Sequence, residues 1–295
     1  MVEQLQACPI CQSQELTHFK TCQDYTVSQE KFDIVNCKSC GFKFTNPRPD
    51  EANVGRYYKS DSYISHSNTS KGIIAKLYHA VRKYTLQGKL SLINRLANKK
   101  GKLLDVGCGT GMFINCCQEA GWTVKGIEPD PDAGKFAKEL NKVQIESQIL
   151  GSYSSEQFDV ITMWHVLEHV HQLNETANWL NQRLTKEGHL IIAVPNYESK
   201  DAQIYQEQWA AYDVPRHLYH FSQKSIQQLM GNHGFKLVET LPMKFDSFYV
   251  SMLSTKYQTG SINYLKAFFD GLKSNRWASN NQQNYSSLIY VFKKQ

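Results

Sequence analysis

The stretch GKLLDVGCGTGMF at residues 101–113 constrains the fold of this 295-residue chain more than any other part of its sequence. Apolar residues leading to Asp105 predict a short buried strand, and the alternating Gly107, Gly109 and Gly111 predict a tight loop that opens a helix. Glycine lets the backbone approach a ligand that a Cβ atom would exclude, and a new helix offers free N–H groups. The stretch therefore indicates an α/β domain that binds a nucleotide-like ligand.

An acid at the end of the next strand narrows the class of ligand. The strand TVKGIEPD ends in Glu128, and a carboxylate at that point can accept both ribose hydroxyls of an adenosine group. Asp130 and Pro131 then predict the N-cap and first residue of a helix. A dinucleotide site reads GxGxxG, whereas this loop reads GxGxG with an acid two residues before its first glycine, which indicates a different adenosine-containing ligand.

Further stretches extend the pattern, and together they resemble the class I S-adenosylmethionine-dependent methyltransferases. LDVGCGTG at 104–111 is similar to the first motif of that family. FDVITMWHVLEHV at 158–170 is similar to its fourth strand and the following turn, and LTKEGHLIIAVPN at 184–196 to its fifth strand. The resemblance covers most of residues 101–240. It implies a Rossmann-like, seven-stranded α/β sheet and S-adenosylmethionine as the cofactor.

The resemblance also implies which residues bind that cofactor. In the family, the glycine loop contacts the methionine part, the acid holds the ribose, and the end of the fourth strand lies beside the transferable methyl group. Cys108, inside the loop, is expected to be a small packing residue. The implied cofactor-binding residues are Asp105, Gly107, Cys108, Gly109, Gly111, Glu128, Pro129, Trp164 and His165.

The turn after the fourth strand carries a polar cluster of His165, Glu168 and His169. Some quinone-type O-methyltransferases with a similar motif are thought to bind a divalent ion through it. The spacing does not by itself place three ligands on one side of an ion, and no further carboxylate partner can be assigned. We therefore interpret the cluster as a polar helix start beside the cofactor.

Two CxxC pairs near the start of the chain, Cys8 with Cys11 and Cys37 with Cys40, predict a tetrahedral zinc site with four sulfur ligands. Unligated cysteines and iron are the alternatives. Because protein would fill every ligand position, we expect zinc to be structural and to fold a module, residues 1–46, that is too small to bury a core. The paired spacing of the eight cysteines, and the lack of a secretory leader, favour a reducing, cytoplasmic location.

The remaining residues are predicted to form a connecting region and the main domain. Residues 47–100 are interpreted as a linker and helical cap, with apolar residues at helical spacing in one or two helices. The linker tyrosines Tyr57, Tyr58 and Tyr63 either anchor it or line the mouth of a ligand site. The methyltransferase domain is expected over residues 101–295. It carries inserted substrate segments at about residues 197–221 and 243–284, and the second is either a pocket wall or a homodimer face.

The first insertion ends in DVPRHLYHFS at residues 213–222, which concentrates titratable side chains ahead of a predicted helix. Methyl transfer is an in-line displacement, so the protein must align the acceptor and, for a hydroxyl or carbon acid, remove its proton. His217 and His220 are candidate bases, Asp213 would orient one of them, and Arg216 would hold an anionic substrate group. The alternative is a loop scaffold in which the arginine and the acid pair with each other and the histidines pack or cap.

We predict a methyltransferase that acts on a small-molecule acceptor such as a sugar, a quinone or another biosynthetic intermediate. The cysteine pairs, the core and the His-rich segment together resemble methyltransferases of sugar and natural-product biosynthesis, although the chain lacks the fuller acidic and His pattern of the deoxysugar C-methyltransferases. The alternative is an RNA base methyltransferase with a zinc module. The net charge of +6 is spread along the chain. Between Cys8 and Phe44 the sequence has four lysines and four acidic residues, so this segment carries no excess of positive charge. Nucleic acid is therefore not the expected partner. A non-catalytic, cofactor-regulated adaptor is disfavoured by the intact motifs.

Overall fold

The structure, a computed structural model, describes residues 2–58, 73–97 and 99–295, without the side chains of residues 73–80. Tyr63 of the predicted linker lies outside the described residues. The strands are β1 (Val2–Glu3), β2 (Leu16–Gln23), β3 (Lys31–Cys37), β4 (Lys43–Thr45), β5 (Arg48–Pro49), β6 (Lys102–Val106), β7 (Thr123–Ile127), β8 (Ile145–Glu146), β9 (Phe158–Trp164), β10 (Leu184–Pro195), β11 (Tyr219–His220), β12 (Phe235–Pro242) and β13 (Ser287–Lys294). The α-helices are α1 (Ile73–Leu96), α2 (Met112–Glu119), α3 (Pro131–Asn141), α4 (Leu173–Arg183), α5 (Lys200–Tyr205), α6 (Gln223–Asn232), α7 (Asp246–Thr259) and α8 (Tyr264–Ser279).

A seven-stranded sheet in the order β12-β13-β10-β9-β6-β7-β8 forms the centre of the main domain. Strands β10, β9, β6, β7 and β8 run parallel, while β13 runs antiparallel between β10 and β12. This topology confirms the seven-stranded Rossmann-like sheet predicted from the sequence. The parallel strands place Asp105, Glu128 and Trp164 at or just beyond one edge, the carboxyl edge, where such sheets bind ligands.

Helices cover both faces of this sheet because neighbouring strand residues point to opposite sides. Leu103 packs in one buried cluster with residues of α1, α2 and α3. Leu104 packs in another, with residues of α4 and α6. The region predicted to form one or two helices is the single helix α1, and its buried Ile93 belongs to the first cluster. No helix in the described part of the chain is both long and apolar enough to cross a membrane.

Two predicted helix starts follow from local chemistry that the structure confirms. The Asp130 carboxylate accepts from the backbone N–H groups of Asp132 and Ala133, at 3.1 and 2.8 Å, and Pro131 is the first residue of α3. Ser222 begins α6 through a reciprocal pair of hydrogen bonds with the third helical residue. Both caps use oxygen side chains to satisfy N–H groups that have no partner within the helix.

A second sheet, in the order β11-β4-β3-β2, joins the N-terminal module to the main domain. Its edge strand β11 belongs to the segment predicted as a loop, and it pairs with β4 through Tyr219–Phe44 and His220–Lys43. The Phe42 ring contacts the Tyr219 ring, with centroids 5.9 Å apart. Phe42 and Phe44 are fully buried in the same cluster as Leu104, so the two parts share a core.

The second predicted insertion consists of α7 and α8, which pack against each other. The rings of Phe248 and Phe268 stack between them, 5.7 Å apart. A Cβ at Gly271 would lie 2.7 Å from the Phe248 ring, so the glycine permits close helix contact. The exposed side of α8 carries large apolar side chains, namely Tyr264, Leu265, Phe268, Phe269 and Leu272.

Candidate functional site

The glycine loop after β6 is built from residues with positive φ. Gly107, Gly109 and Gly111 have φ of 71°, 52° and 75°, the left-handed region that favours glycine. The N–H groups of Gly107 and Cys108 donate to the Ile127 carbonyl at 2.7 and 3.0 Å, which ties the loop to the end of β7. The Cys108 side chain is buried in the apolar cluster, in keeping with a packing residue.

Gly107 and Gly109 allow a direct test of how closely the loop backbone packs against neighbouring side chains. A Cβ at Gly107 would lie 2.4 Å from Val166 Cγ2, whereas a Cβ at Gly109 would meet nothing within 4 Å. Alanine at either position has the cost of a positive φ, but only alanine at 107 also clashes with Val166. We therefore expect Gly107→Ala to lower the free energy of unfolding by about 1–3 kcal/mol more than Gly109→Ala. Urea denaturation of the two variants measures the difference. Equal losses would mean that Val166 moves aside without cost.

A buried acid, Asp105, and a half-buried acid, Glu128, lie beside the loop. Asp105 is 2% exposed, and its Oδ1 accepts from the Thr162 hydroxyl at 2.6 Å. Burial raises its pKa to about 7, although the bond from Thr162 opposes the shift. Glu128 accepts from the N–H groups of Gly109 and Asp130, at 2.7 and 2.9 Å, and burial raises its pKa. The Glu128 carboxylate therefore links the glycine loop to the end of β7.

The end of β9 places an aromatic ring and a histidine beside the same loop. The Trp164 ring meets the Phe113 ring edge-on, 5.6 Å between centroids. His165, with a φ of 58°, directs its Nδ1 to Glu168 at 3.3 Å and its Nε2 to Asp246 at 3.1 Å. Burial opposes a charge on His165, but the bonds to Asp246 and Glu168 raise its pKa to about 10. His165 is therefore protonated at neutral pH, with both ring nitrogens donating.

The segment 213–222 is held between the N-terminal module and the turn after β9. On one side, the Leu218 N–H donates to the Glu168 carbonyl at 2.8 Å. On the other, Thr45 donates its N–H to the Leu218 carbonyl at 3.0 Å and its hydroxyl to the His217 carbonyl at 2.8 Å. The backbone at His217 thus depends on both neighbours for its position.

Arg216 is bound on every side by protein. Its Nε and Nη2 donate to Asp213 at 3.0 and 2.7 Å, Nη2 also donates to Asp24 at 2.9 Å, and Nη1 donates to the Tyr57 carbonyl at 2.8 Å. The side chain is 1% exposed. Every guanidinium nitrogen has an acceptor within the described residues, and the contacts tie the segment to the N-terminal module.

The structure separates the two histidines that the sequence paired as candidate bases. His220 is 4% exposed and shares a hydrogen bond of 3.1 Å with the Thr45 hydroxyl, and burial lowers its pKa well below the ordinary value. His217 instead donates from Nδ1 to the Ala211 carbonyl at 2.9 Å. Since a carbonyl can only accept, the proton is on Nδ1, and Nε2 keeps its lone pair while the ring is neutral.

His217 lies beside two residues of the turn after β9. One ligand-type atom from each of Glu168, His169 and His217 lies within 4.8 Å of the others, and the His169 and His217 rings are 4.6 Å apart. His169 Nδ1 is 3.0 Å from the Arg216 carbonyl and 2.9 Å from the Tyr58 hydroxyl. Burial, and then His217, lower the pKa of His169 to about 4, so this ring is neutral.

Glu168 brings a negative charge to this trio. The side chain is fully buried, and its Oε2 has no hydrogen-bond partner in the described part of the chain. Burial raises the pKa of Glu168, but the bond from His165 outweighs it and the pKa lies below its ordinary value. The sequence places His165, Glu168 and His169 in one cluster. In the structure, His165 bonds to Asp246 as well as to Glu168, and the third residue close to Glu168 and His169 is His217. One carboxylate and two imidazoles can move a proton, and they also form a ligand set that zinc accepts.

The four predicted metal-binding cysteines converge in the N-terminal module. The Sγ atoms of Cys8 and Cys40 are 3.5 Å apart, as are those of Cys11 and Cys37, and all four lie within 4.8 Å of one another. A tetrahedral zinc ion with Zn–S bonds of about 2.3 Å needs sulfurs roughly 3.8 Å apart. Gly41, with a φ of 79°, follows the second pair, and its N–H donates to the Cys37 carbonyl at 2.8 Å. The four sulfurs therefore fit zinc.

Sequence analysis missed three residues that shape the site: Thr45, Lys89 and Asp246. Lys89 Nζ lies 4.2 Å from the centroid of the Trp164 ring. Asp246 forms a hydrogen bond with His165 and lies 81 residues after it in the sequence. Thr45 forms a hydrogen bond with the His217 carbonyl and lies 172 residues before it. No local pattern marks these residues, because each meets the site only after the chain has folded.

Comparisons with known proteins show what this chain is similar to. A family model described as "Methyltransferase domain" matches residues 78–240. The ubiquinone biosynthesis O-methyltransferase of Nitrosospira multiformis is 25% identical over 195 residues, which cover 61% of this chain and 81% of the relative. The mitochondrial ubiquinone biosynthesis O-methyltransferase of Schizosaccharomyces pombe is 29% identical over 101 residues, 31% of this chain and 37% of that protein.

A solved structure supports the fold at lower identity. Magnesium protoporphyrin IX methyltransferase from Synechocystis PCC 6803, solved with bound SAH, aligns with 83% of this chain and 100% of its own, with a TM-score of 0.55 and 14% identity. This likeness concerns the arrangement of the strands and helices. The cysteine module precedes the residues that the family model matches.

Proposed function

This chain belongs to the methyltransferase domain family and is an S-adenosylmethionine-dependent methyltransferase, and from that premise we propose that it methylates a hydroxyl group of a small molecule, with His217 as the general base. One observation carries the proposal: the bond from Nδ1 to the Ala211 carbonyl leaves Nε2 of His217 as a proton acceptor. The names of the two ubiquinone biosynthesis relatives, both O-methyltransferases, support oxygen as the atom methylated.

The carboxyl edge of the sheet is the proposed cofactor site. When bound, S-adenosylmethionine supplies an electrophilic methyl group for an in-line displacement. We assign its methionine part to Asp105 and the loop at residues 107–111, and its ribose to Glu128. Each Glu128 oxygen accepts one backbone N–H and keeps a second lone pair, so it can also accept ribose hydroxyls. Pro129 and the backbone of Trp164 and His165 border this edge.

The other histidines are poorer candidates for the base. His165 is already protonated, because two carboxylates hold its charge. His220 faces Thr45 in the N-terminal sheet, and the low pKa of His169 makes it a weak proton acceptor. Among the described histidines of this region, His217 combines a proton fixed on Nδ1, an Nε2 that can accept a proton and a place beside Glu168.

Two carboxylates lie close to His217. The unpartnered Oε2 of Glu168 belongs to the same trio, and Asp213 Oδ2 lies 4.0 Å from His217 Nε2. Both carboxylates therefore border the ring that would accept the proton of the acceptor hydroxyl. In this proposal, Asp213 also fixes Arg216, whose guanidinium positions the segment instead of holding a substrate anion.

We also propose that Cys8, Cys11, Cys37 and Cys40 bind a structural zinc ion. The sulfur spacing supports it, and four protein ligands leave no position for a reacting water. The ion would stabilise the N-terminal module, which contains β4. Strand β4 in turn pairs with β11 of the segment at residues 213–222.

A panel of acceptors tests the proposed function. Purified protein is incubated with methyl-labelled S-adenosylmethionine and, separately, dihydroxyphenols, nucleoside-diphosphate sugars and total RNA. We expect label in a small-molecule hydroxyl, and mass spectrometry of the product identifies the methylated atom. Label confined to RNA, with binding that weakens steeply as salt increases, would establish the RNA alternative instead.

A further inference from the structure

Helix α8 turns its large apolar side chains outward and its small side chains inward. The buried side, which packs toward α5 and α7, consists of Ala267, Gly271, Ser274 and Ala278. The outward side chains are spaced four residues apart in two adjacent rows, and they are between 49% and 75% exposed: Tyr264, Phe268 and Leu272 in one row, and Leu265 and Phe269 in the other. An exposed apolar patch of this kind marks a contact with another surface.

The segment that contains this patch is basic. Residues 243–284 have five basic and two acidic side chains, and this excess of three is half of the net charge of the chain. Both acids are already engaged, because Asp246 bonds to His165 and Asp270 accepts from Lys266. The segment therefore presents positive charge that its own acids do not neutralise.

Three exposed cations lie at the C-terminal end of the patch. Arg276 follows Leu272 by one helical turn, and Lys273 follows Phe269 in the same way, so each cation continues one apolar row. Lys244 lies beside them, because its carbonyl accepts from the Asn275 side chain at 2.9 Å. Among the described residues, none of these three cations forms an ion pair.

We propose that this face of α8 docks on the surface of a lipid bilayer that carries anionic headgroups. The face, called the α8 face, consists of the five outward apolar side chains and the three cations. Such a helix lies in the plane of the membrane surface, with its apolar side chains at the boundary between headgroups and acyl chains and its lysine and arginine ends at the phosphates. Burial of apolar area and attraction to anionic lipid both contribute to binding.

A bilayer suits the charge and shape of the α8 face better than a second copy of the chain. A second copy would bring the same three cations, and both acids of its segment would already be engaged, so like charges would meet. The apolar side chains protrude from a helix. A fluid bilayer accepts protruding side chains directly, whereas a protein partner must supply a surface of complementary shape.

Co-sedimentation with vesicles tests the proposal. Wild-type protein is mixed with vesicles of phosphatidylcholine alone, or with vesicles that contain about one-third phosphatidylglycerol. We expect binding to the anionic vesicles that weakens as salt is raised. Leu265→Ser/Phe269→Ser should lower the partition coefficient at least about tenfold, because two apolar side chains no longer enter the bilayer. Lys273→Gln/Arg276→Gln should lower binding to anionic vesicles about 10- to 30-fold.

Matched substitutions on helix α3 control for the loss of exposed side chains elsewhere. Phe136→Ser/Leu140→Ser removes two exposed apolar side chains, and Lys135→Gln/Lys138→Gln removes two exposed lysines. Neither double variant should change vesicle binding. Circular dichroism and thermal melting should show that all four double variants fold like wild type, since every substituted side chain is exposed.

The outcome is independent of the proposed acceptor and base. Methyl transfer to a water-soluble acceptor should not change in Leu265→Ser/Phe269→Ser, because the α8 face lies outside the proposed cofactor site and base. Vesicle binding that persists in both α8 variants, or that wild type lacks, would overturn the proposal. Light scattering then identifies the occupant: a dimer that Leu265→Ser/Phe269→Ser dissociates assigns the face to a second copy, and a monomer assigns it to an acidic protein surface.

Discussion

Replacing His217 with alanine is expected to lower kcat about 10²- to 10⁴-fold while S-adenosylhomocysteine binds within about twofold of wild type. The imidazole would be lost as proton acceptor, whereas the residues proposed to bind the cofactor lie on β6, in the loop that follows it, and at the ends of β7 and β9. Steady-state kinetics with the identified acceptor, together with calorimetric titration of the cofactor product, measure both quantities.

Two further variants separate proton transfer from folding. His217→Asn keeps an N–H that can donate to the Ala211 carbonyl but has no base, so it should recover stability and not turnover. His18→Ala removes a largely exposed histidine in β2 and should leave kcat unchanged. Normal turnover in the His217→Ala enzyme would refute the assignment. Turnover of wild type that requires an added divalent ion would assign the trio of Glu168, His169 and His217 to metal binding.

Loss of the proposed zinc ion is expected to abolish methyl transfer by unfolding the N-terminal module. Structural zinc contributes roughly 10–16 kcal/mol to the folding of small zinc peptides, which is as large as the net stability of about 5–15 kcal/mol of a whole protein. Without it, the pairing of β4 with β11 and the bonds from Thr45 to His217 and Leu218 should be lost. The segment at residues 213–222 would then keep its backbone contact with the turn after β9 but lose its contact with the N-terminal module.

Cys37→Ser with metal analysis tests this expectation. The variant should bind much less than one zinc ion per chain, and its activity and folded fraction, followed by circular dichroism, should fall together. Cys116→Ser, which changes a cysteine outside the four-sulfur cluster, is the matched control. A chelator that stopped turnover at once and reversibly, with the fold intact, would show that the metal is catalytic and contradict the structural role.

Local sequence patterns predicted the parts of the fold that depend on neighbouring residues. The caps at Asp130 and Ser222 need only a side-chain oxygen near the free N–H groups of the next turn. The loop glycines need only positive φ and close packing, which the motif itself encodes. The Rossmann-like, seven-stranded sheet was predicted through the resemblance to a family and not from local patterns.

The candidate site was less predictable, because its contacts join distant parts of the chain. Arg216 lies 192 residues from Asp24, and no local pattern in either segment predicts that these two side chains pair. The sequence predicts the segment that carries Arg216 as part of a long connection between the fifth strand and the next helix. Its strand β11 forms only because β4 offers an open edge, and neither strand indicates the other locally.

By itself, the sequence determined the glycine loop, the acids beside it, the convergent cysteine pairs and the family, since these depend on short-range chemistry and fixed spacing. Only the tertiary structure separated the two histidines that the sequence pairs as candidate bases. His217 and His220 are three residues apart, and an extended chain turns such residues to opposite sides. When the N-terminal sheet packs against this segment, His220 forms a hydrogen bond with Thr45, and His217 lies beside Glu168. That choice depends on long-range pairing, which no local pattern specifies.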